Sequence, residues 1–163
     1  PVESVHRYGA PAFSGGLEWI GLYPLSNWMK QEGGTPLSID SFQETPAVLA
    51  SGIGSPGRLF DQAGSYGIPI HEHLCYPDHH WFTKEDLRVL AIKSRSHPLL
   101  LTEKDAIRLF AVPEIPPELL EKTYVIHAAW KMEHPDRFDR WLAAQMTAII
   151  SPPDPVESNP GSE

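Results

Sequence analysis

Asp78 and His79 stand side by side in the stretch Cys75-Tyr76-Pro77-Asp78-His79-His80-Trp81-Phe82, with His71 and His73 just upstream. A carboxylate next to an imidazole can form a proton-relay pair, the carboxylate orienting the ring. The same donors, His71, His73, Asp78, His79 and His80, could instead ligate zinc or manganese, which accept imidazole and carboxylate. Neighbouring residues point apart, however, so only some of them could share one ion. A plainer role is also open: Asp78 caps a turn and the histidines bond locally.

A second stretch, Thr102-Glu103-Lys104-Asp105, mixes both charges. Glu103 and Asp105 suit the positive end of a helix as caps. Lys104 is unfavourable there unless it has a partner, which could be an anion or a carboxylate. A third stretch, Gly52-Ile53-Gly54-Ser55-Pro56-Gly57, matches GxGxxG, and Glu72 follows about twenty residues on, where a ribose-binding acid would stand. A pyrophosphate would then rest on a helix N-terminus. A tight strand-to-helix turn explains the same glycines, and Pro56 removes one of the amides a phosphate would use.

These stretches fall between regular elements. Ala47–Ala50 is an apolar run of the kind that forms a buried strand. Ser55 and Pro56 then suit the start of a helix over Gly57–Ser65, with Leu59, Phe60 and Ala63 at helical spacing and Gly67 as its stop. Ile68–Leu74 reads as a second strand. Thr83 and Asp86 resemble a capping box ahead of a helix bearing Leu87, Leu90 and Ala91. Pro98–Leu101 is a third strand, Glu103–Phe110 a short helix and Tyr124–Ala129 a fourth strand. Asp136–Ile150 is a long amphipathic helix with Phe138, Trp141, Leu142, Gln145 and Ile149 on or beside one face.

Strand and helix thus alternate four times, which predicts an α/β fold: a Rossmann-like parallel sheet with flanking helices. In such sheets functional groups gather where strands end and helices begin, and all three stretches lie at such places. Residues 1–46 are rich in Gly, Pro and Ser and read as an irregular or β connecting arm, with Leu17–Tyr23 as a strand. Residues 47–150 form the Rossmann-like domain. Residues 151–163 read as a disordered, Pro-rich acidic tail.

The bulk properties narrow the function classes. The 163 residues suffice for one domain with a real core, and composition is ordinary, 41% hydrophobic and 21% charged. A net charge of -8 argues against a general nucleic-acid binder and gives no electrostatic reason to bind anionic lipid. A single cysteine, Cys75, excludes an internal disulfide and fits a reducing compartment. No apolar run approaches the roughly 20 residues of a membrane span, and no signal peptide is visible. The chain starts at Pro1 in what reads as a loop, so a fragment or processed product is expected.

Taken in order, the three stretches resemble the C-terminal domain of tetraacyldisaccharide 4'-kinases, the lipid A 4'-kinase family. That family has an A-G-I-G-x-P-x-R-F-F type segment after a strand, and this chain has Ala50-Ser51-Gly52-Ile53-Gly54-Ser55-Pro56-Gly57-Arg58-Leu59-Phe60. An Asp-His step is matched by Asp78-His79, with Phe82 and Asp86 following. An L-x-T-E-K-D-A segment is matched by Leu100-Leu101-Thr102-Glu103-Lys104-Asp105-Ala106. Ser51 departs from a common Gly or Ala, and Leu59 from a common Phe. The resemblance runs from about Trp19 to about Ile150.

The resemblance implies transfer of the γ-phosphate of ATP, with Mg2+, to the 4'-position of a tetraacyldisaccharide 1-phosphate. The partners would be ATP and this lipid A precursor, at the cytoplasmic face of the Gram-negative inner membrane. The fold would be two Rossmann-like domains with the active site between them. His79 would face the catalytic carboxylate of the N-terminal half, Asp78 would orient it, and Glu103, Lys104 and Asp105 would line or brace the cleft. No metal ligand is assigned here. The sequence contains no GxxxxGK[ST] phosphate cradle. ATP and Mg2+ would therefore be bound mainly by an N-terminal half, which would also provide peripheral membrane association. The 163 residues by themselves are expected to be soluble and inactive. A metal-dependent phosphoesterase or hydrolase using His71–His80, and a dinucleotide-binding module, are the alternatives.

Overall fold

The fold is taken from a computed structural model, which describes residues 11–30 and 34–150. The expected tail at 151–163 lies outside the described residues. The described chain divides into two compact units, Glu18–Ala129 and a second made of residues up to Leu17 together with those from Trp130.

Five strands form one sheet in the order β1-β5-β4-β2-β3. They are β1 (Gly15–Pro24), β2 (Ala47–Ser51), β3 (Ile70–Cys75), β4 (Leu99–Thr102) and β5 (Thr123–Met132). β2 pairs in parallel with β3 and with β4, and β4 in parallel with β5. The predicted parallel α/β sheet is therefore present. Helices α1 (Leu25–Met29), α2 (Pro56–Ser65), α3 (Lys84–Lys93), α4 (Glu103–Leu109), α5 (Pro117–Lys122) and α6 (Pro135–Ile150) connect or follow the strands.

The two faces of the sheet are read directly from the period-2 alternation of strand side chains. Val48 and Ala50 of β2, Leu99 and Leu101 of β4 and Val125 of β5 join Leu87 and Leu90 of α3 and Ala106 and Leu109 of α4. Ala47, Leu49, Leu100 and Ile126 point the other way, onto Leu59 and Ala63 of α2 together with Trp19, Leu22 and Phe42. All five residues of β2 are buried, as a central parallel strand covered on both faces must be. Each fully buried Leu contributes about 1.5–3 kcal/mol relative to an exposed one.

The ends of the elements follow local chemistry. At α3, Thr83 accepts from the Asp86 N–H while Asp86 accepts from the Thr83 N–H, a complete capping box. Gly67, at φ 76°, ends α2 in the left-handed region. Ser55 is the N-cap of α2, but its hydroxyl makes no capping hydrogen bond, and only Pro56 marks that start.

The segment expected as a connecting arm does more than connect. β1 joins the sheet, and Trp19, Leu22, Leu25 and Phe42 are buried. α1, α5 and a 3-10 turn at Ile39–Phe42 are further elements beyond those expected. In the smaller unit, the ring of Phe13 lies edge-on to Phe138 at 5.2 Å and beside Trp141 at 5.4 Å. Leu142 and Ile149, also expected on the apolar face of α6, are exposed, as is Met146. Among the described residues, no helix is long and apolar enough to cross a membrane.

Candidate active site at the strand ends

The chain passes from β2 to β3 on one side and then to β4 on the other side of β2. The C-terminal ends of β2 and β4 therefore flank a topological switch point, where open α/β sheets form their binding crevice. Gly52 follows β2, Thr102 and Asp105 follow β4, and the loop after β3 brings Asp78 and His79 to the same place.

The Gly52 peptide is the hub. Its N–H donates to Asp105 Oδ1 at 3.1 Å. Its carbonyl accepts from the His79 N–H at 3.1 Å and from Arg108 Nη1 at 2.8 Å. A Cβ at Gly52 would stand 3.2 Å from the Pro77 carbonyl and 3.3 Å from Asp105 Oδ1, so any side chain there would press on both. Asp105 is fully buried. Besides Gly52 it accepts from Thr102 Oγ1 at 2.6 Å and from Arg108 Nη1 at 3.2 Å. Thr102 in turn accepts from the Asp105 N–H and caps α4. Asp105 is thus buried beneath the strand ends, which it ties together.

His79 occupies the open side. Its side chain is 78% exposed, and its backbone lies in the left-handed region at φ 62°, costly for a residue with a Cβ. The His79 N–H also donates to Asp78 Oδ1 at 3.0 Å, which holds the step together. His79 Nε2 lies 3.7 Å from Asp78 Oδ2, so the two side chains face each other without a tight hydrogen bond. On the other edge of the ring, Arg108 Nη2 donates to His79 Nδ1 at 3.2 Å.

His80 is turned into the loop. Its Nε2 and Asp86 Oδ2 are 3.0 Å apart, and its ring stacks on Tyr76 at 4.8 Å. Burial alone would raise the Asp86 carboxyl, but hydrogen bonds from Thr83 and His80 outweigh it and hold the group below its usual range. Burial, aided by the charge of Asp86, pushes the Tyr76 hydroxyl up to about 12. His73 lies across β2: its Nε2 meets the hydroxyl of buried Ser51 at 3.0 Å, Phe60 stacks on its ring, and burial lowers its pKa. His71 packs instead beside His97.

Of the five donors of the expected His71–His80 metal cluster, only Asp78 and His79 therefore face each other, while His71, His73 and His80 each take a different partner. Among the described residues no three His, Cys, Asp or Glu side chains gather to hold a metal ion. The dinucleotide reading also fails on geometry. The first glycine amide is already committed to Asp105, and Glu72 lies early in β3, opposite Val48, in an ion pair with Lys93 at 2.7 Å.

Glu103 and Lys104 separate from Asp105. Glu103 Oε1 is 2.8 Å from His127 Nδ1, with the Tyr23 ring beside the imidazole. The ammonium of exposed Lys104 has no ion-pair partner among the described residues. Arg108 and His127 contact these candidate residues and were not singled out by sequence reasoning. The signal for Arg108 was its place one turn after Asp105 on the same helix. His127 could be found only by knowing that β5 runs beside β4 with Ile126 opposite Thr102.

Comparison with known proteins gives this arrangement relatives. The family model described as Tetraacyldisaccharide-1-P 4'-kinase matches residues 22–147. A tetraacyldisaccharide 4'-kinase of Polaromonas naphthalenivorans is 34% identical over 110 residues, covering 68% of this chain and 30% of the relative. One from Brucella ovis is 31% identical over 94 residues, 56% of this chain and 28% of the relative. The chain thus spans less than a third of the length of the curated relatives it matches. A crystal structure of LpxK from Aquifex aeolicus, described as an "apo" form in complex with ATP, aligns with a TM-score of 0.52. It shares 21% identity, and the alignment covers 83% of this chain and 36% of that one, a likeness of fold.

Proposed function

Since the chain belongs to the tetraacyldisaccharide-1-P 4'-kinase family, we propose that it is the part of such a kinase that completes the acceptor side of the active site. The reaction is transfer of the ATP γ-phosphate to the 4'-hydroxyl of a tetraacyldisaccharide 1-phosphate. The observation that carries this reading is convergence: the three stretches that resemble the family meet around the Gly52 peptide at one switch point.

Phosphoryl transfer depends on positioning and charge stabilisation more than on covalent chemistry. Asp78 and His79 are the proposed catalytic pair of this segment, with His79 on the open side of the crevice, where it would meet the catalytic carboxylate and acceptor. Asp105 braces the strand ends. Glu103, held by His127, and Lys104, which has no ion-pair partner among the described residues, are the groups proposed to line the cleft. The described residues do not assemble a metal-holding set, and the sequence has no GxxxxGK[ST] cradle. Binding of ATP and Mg2+, which supplies charge neutralisation for the transfer, is therefore assigned to sequence beyond these 163 residues. The same holds for peripheral attachment to the cytoplasmic face of a Gram-negative inner membrane.

The test has two arms. The chain alone, given ATP and the tetraacyldisaccharide 1-phosphate, is expected to show no turnover. Placed in the Polaromonas kinase in place of its matching segment, it is expected to sustain phosphorylation, and His79→Ala to lower the rate about 100-fold or more. Turnover by the chain alone refutes the division of labour. A replacement that binds ATP normally yet phosphorylates nothing refutes the function.

A further inference from the structure

Arg108 joins the buried base of the site to its most exposed side chain. Its side chain is 11% exposed, and the guanidinium is anchored at one nitrogen, Nη1, by the fully buried Asp105 carboxylate and the Gly52 carbonyl. The other nitrogen, Nη2, reaches His79 Nδ1 at 3.2 Å. A guanidinium has only donors, so at this contact Nδ1 must accept. The neutral ring then carries its proton on Nε2, the nitrogen turned toward Asp78 Oδ2.

We infer that Arg108 is a positioning residue that fixes the Nε2–H tautomer of His79, through a strut running from Asp105 across the Gly52 peptide. The consequence for phosphoryl transfer rests on the reading of His79 given above, whereas the tautomer itself does not. With Nδ1 occupied, His79 offers a hydrogen-bond donor at Nε2 on the open side and cannot take a proton at Nδ1 without losing the Arg108 contact. Left-handed backbone geometry at His79, secured by its N–H to Gly52 and Asp78, aims the ring for this purpose.

Arg108→Lys separates positioning from mere support. A lysine can still neutralise Asp105, but it lacks the planar fork that serves Asp105, Gly52 and His79 together. The 163-residue chain, labelled with 15N on its imidazoles, is examined by long-range 1H–15N NMR at about pH 8, where an ordinary histidine is neutral. In the wild type, His79 is expected to show an Nε2-bound proton and a hydrogen-bonded, unprotonated Nδ1. In Arg108→Lys the Nδ1 resonance is expected to shift toward that of a free ring nitrogen, while His73 and His80 keep their resonances.

A wild-type proton on Nδ1 overturns the inference, and so does an unchanged His79 spectrum in folded Arg108→Lys. If the variant does not fold, the wild-type tautomer alone decides. Failure of the replacement kinase would leave this readout untouched, so the two conclusions stand or fall separately.

Discussion

Asp105→Ala is the most informative perturbation of the brace. The side chain is fully buried and accepts three hydrogen bonds, from Gly52 N–H, Thr102 Oγ1 and Arg108 Nη1. Truncation leaves the Gly52 amide and the mostly buried Arg108 cation without their acceptor. Removing one partner of a buried ion pair costs about 3–5 kcal/mol, because the remaining charge is stranded. A chain of this size shifts its midpoint by roughly 2–4 °C for each kcal/mol. The expected fall in Tm, followed by circular dichroism, is therefore about 6–20 °C. Glu85→Ala breaks only an exposed pair with Arg88 and is expected to cost under about 1 kcal/mol. A Tm for Asp105→Ala within a few degrees of that for Glu85→Ala would refute the argument that Asp105 holds the strand ends together.

Two further outcomes follow from the loop after β3. His79→Gly should be more stable to urea than His79→Ala by about 1 kcal/mol, since both lose the ring but only glycine relieves the left-handed backbone; equal stabilities would mean that the loop relaxes around alanine. Thr83→Ala removes the capping box of α3 and should cost about 1 kcal/mol near neutral pH. Asp86, whose carboxyl is held below 3.8, stabilises the folded state above that value and loses this effect as pH falls through its lower folded pKa. The difference between wild type and Thr83→Ala in pH-resolved urea unfolding should therefore shrink below about pH 4, and a difference constant to pH 2 would contradict the assignment.

The central repeat of the fold was legible because buried parallel strands leave uninterrupted apolar runs, and Gly67, Pro56 and Thr83 punctuate them. Strands β2, β3 and β4 lie within a residue or two of their expected limits. β1 was harder to weigh, because only Trp19, Gly21 and Leu22 are buried, while Leu17 and Ile20 are exposed and the surroundings are rich in Gly and Pro. α5, only six residues and opened by prolines, has too few turns for a periodic signal. At the site, Asp78, His79 and Asp105 were visible as local residue types at strand ends. The Arg108–His79 and Glu103–His127 contacts were not, since each depends on strand order and register. Sequence proximity was also misleading for the histidines, because alternate strand residues face opposite sides and those after β3 take separate partners.

The position of β1 has a consequence for how the molecule forms. Among the described strands β1 comes first, yet its sheet neighbour is β5, which comes last of them. In a chain made from its N-terminus, Trp19 and Leu22 wait, uncovered on that side, until β5 has emerged. Such sequence-distant pairing slows folding, because the entropy of closing the loop must be met before the contact is made. Bridged only locally, at Leu22 and Leu37, the waiting strand keeps an open edge on the β5 side, available to other chains until β5 arrives.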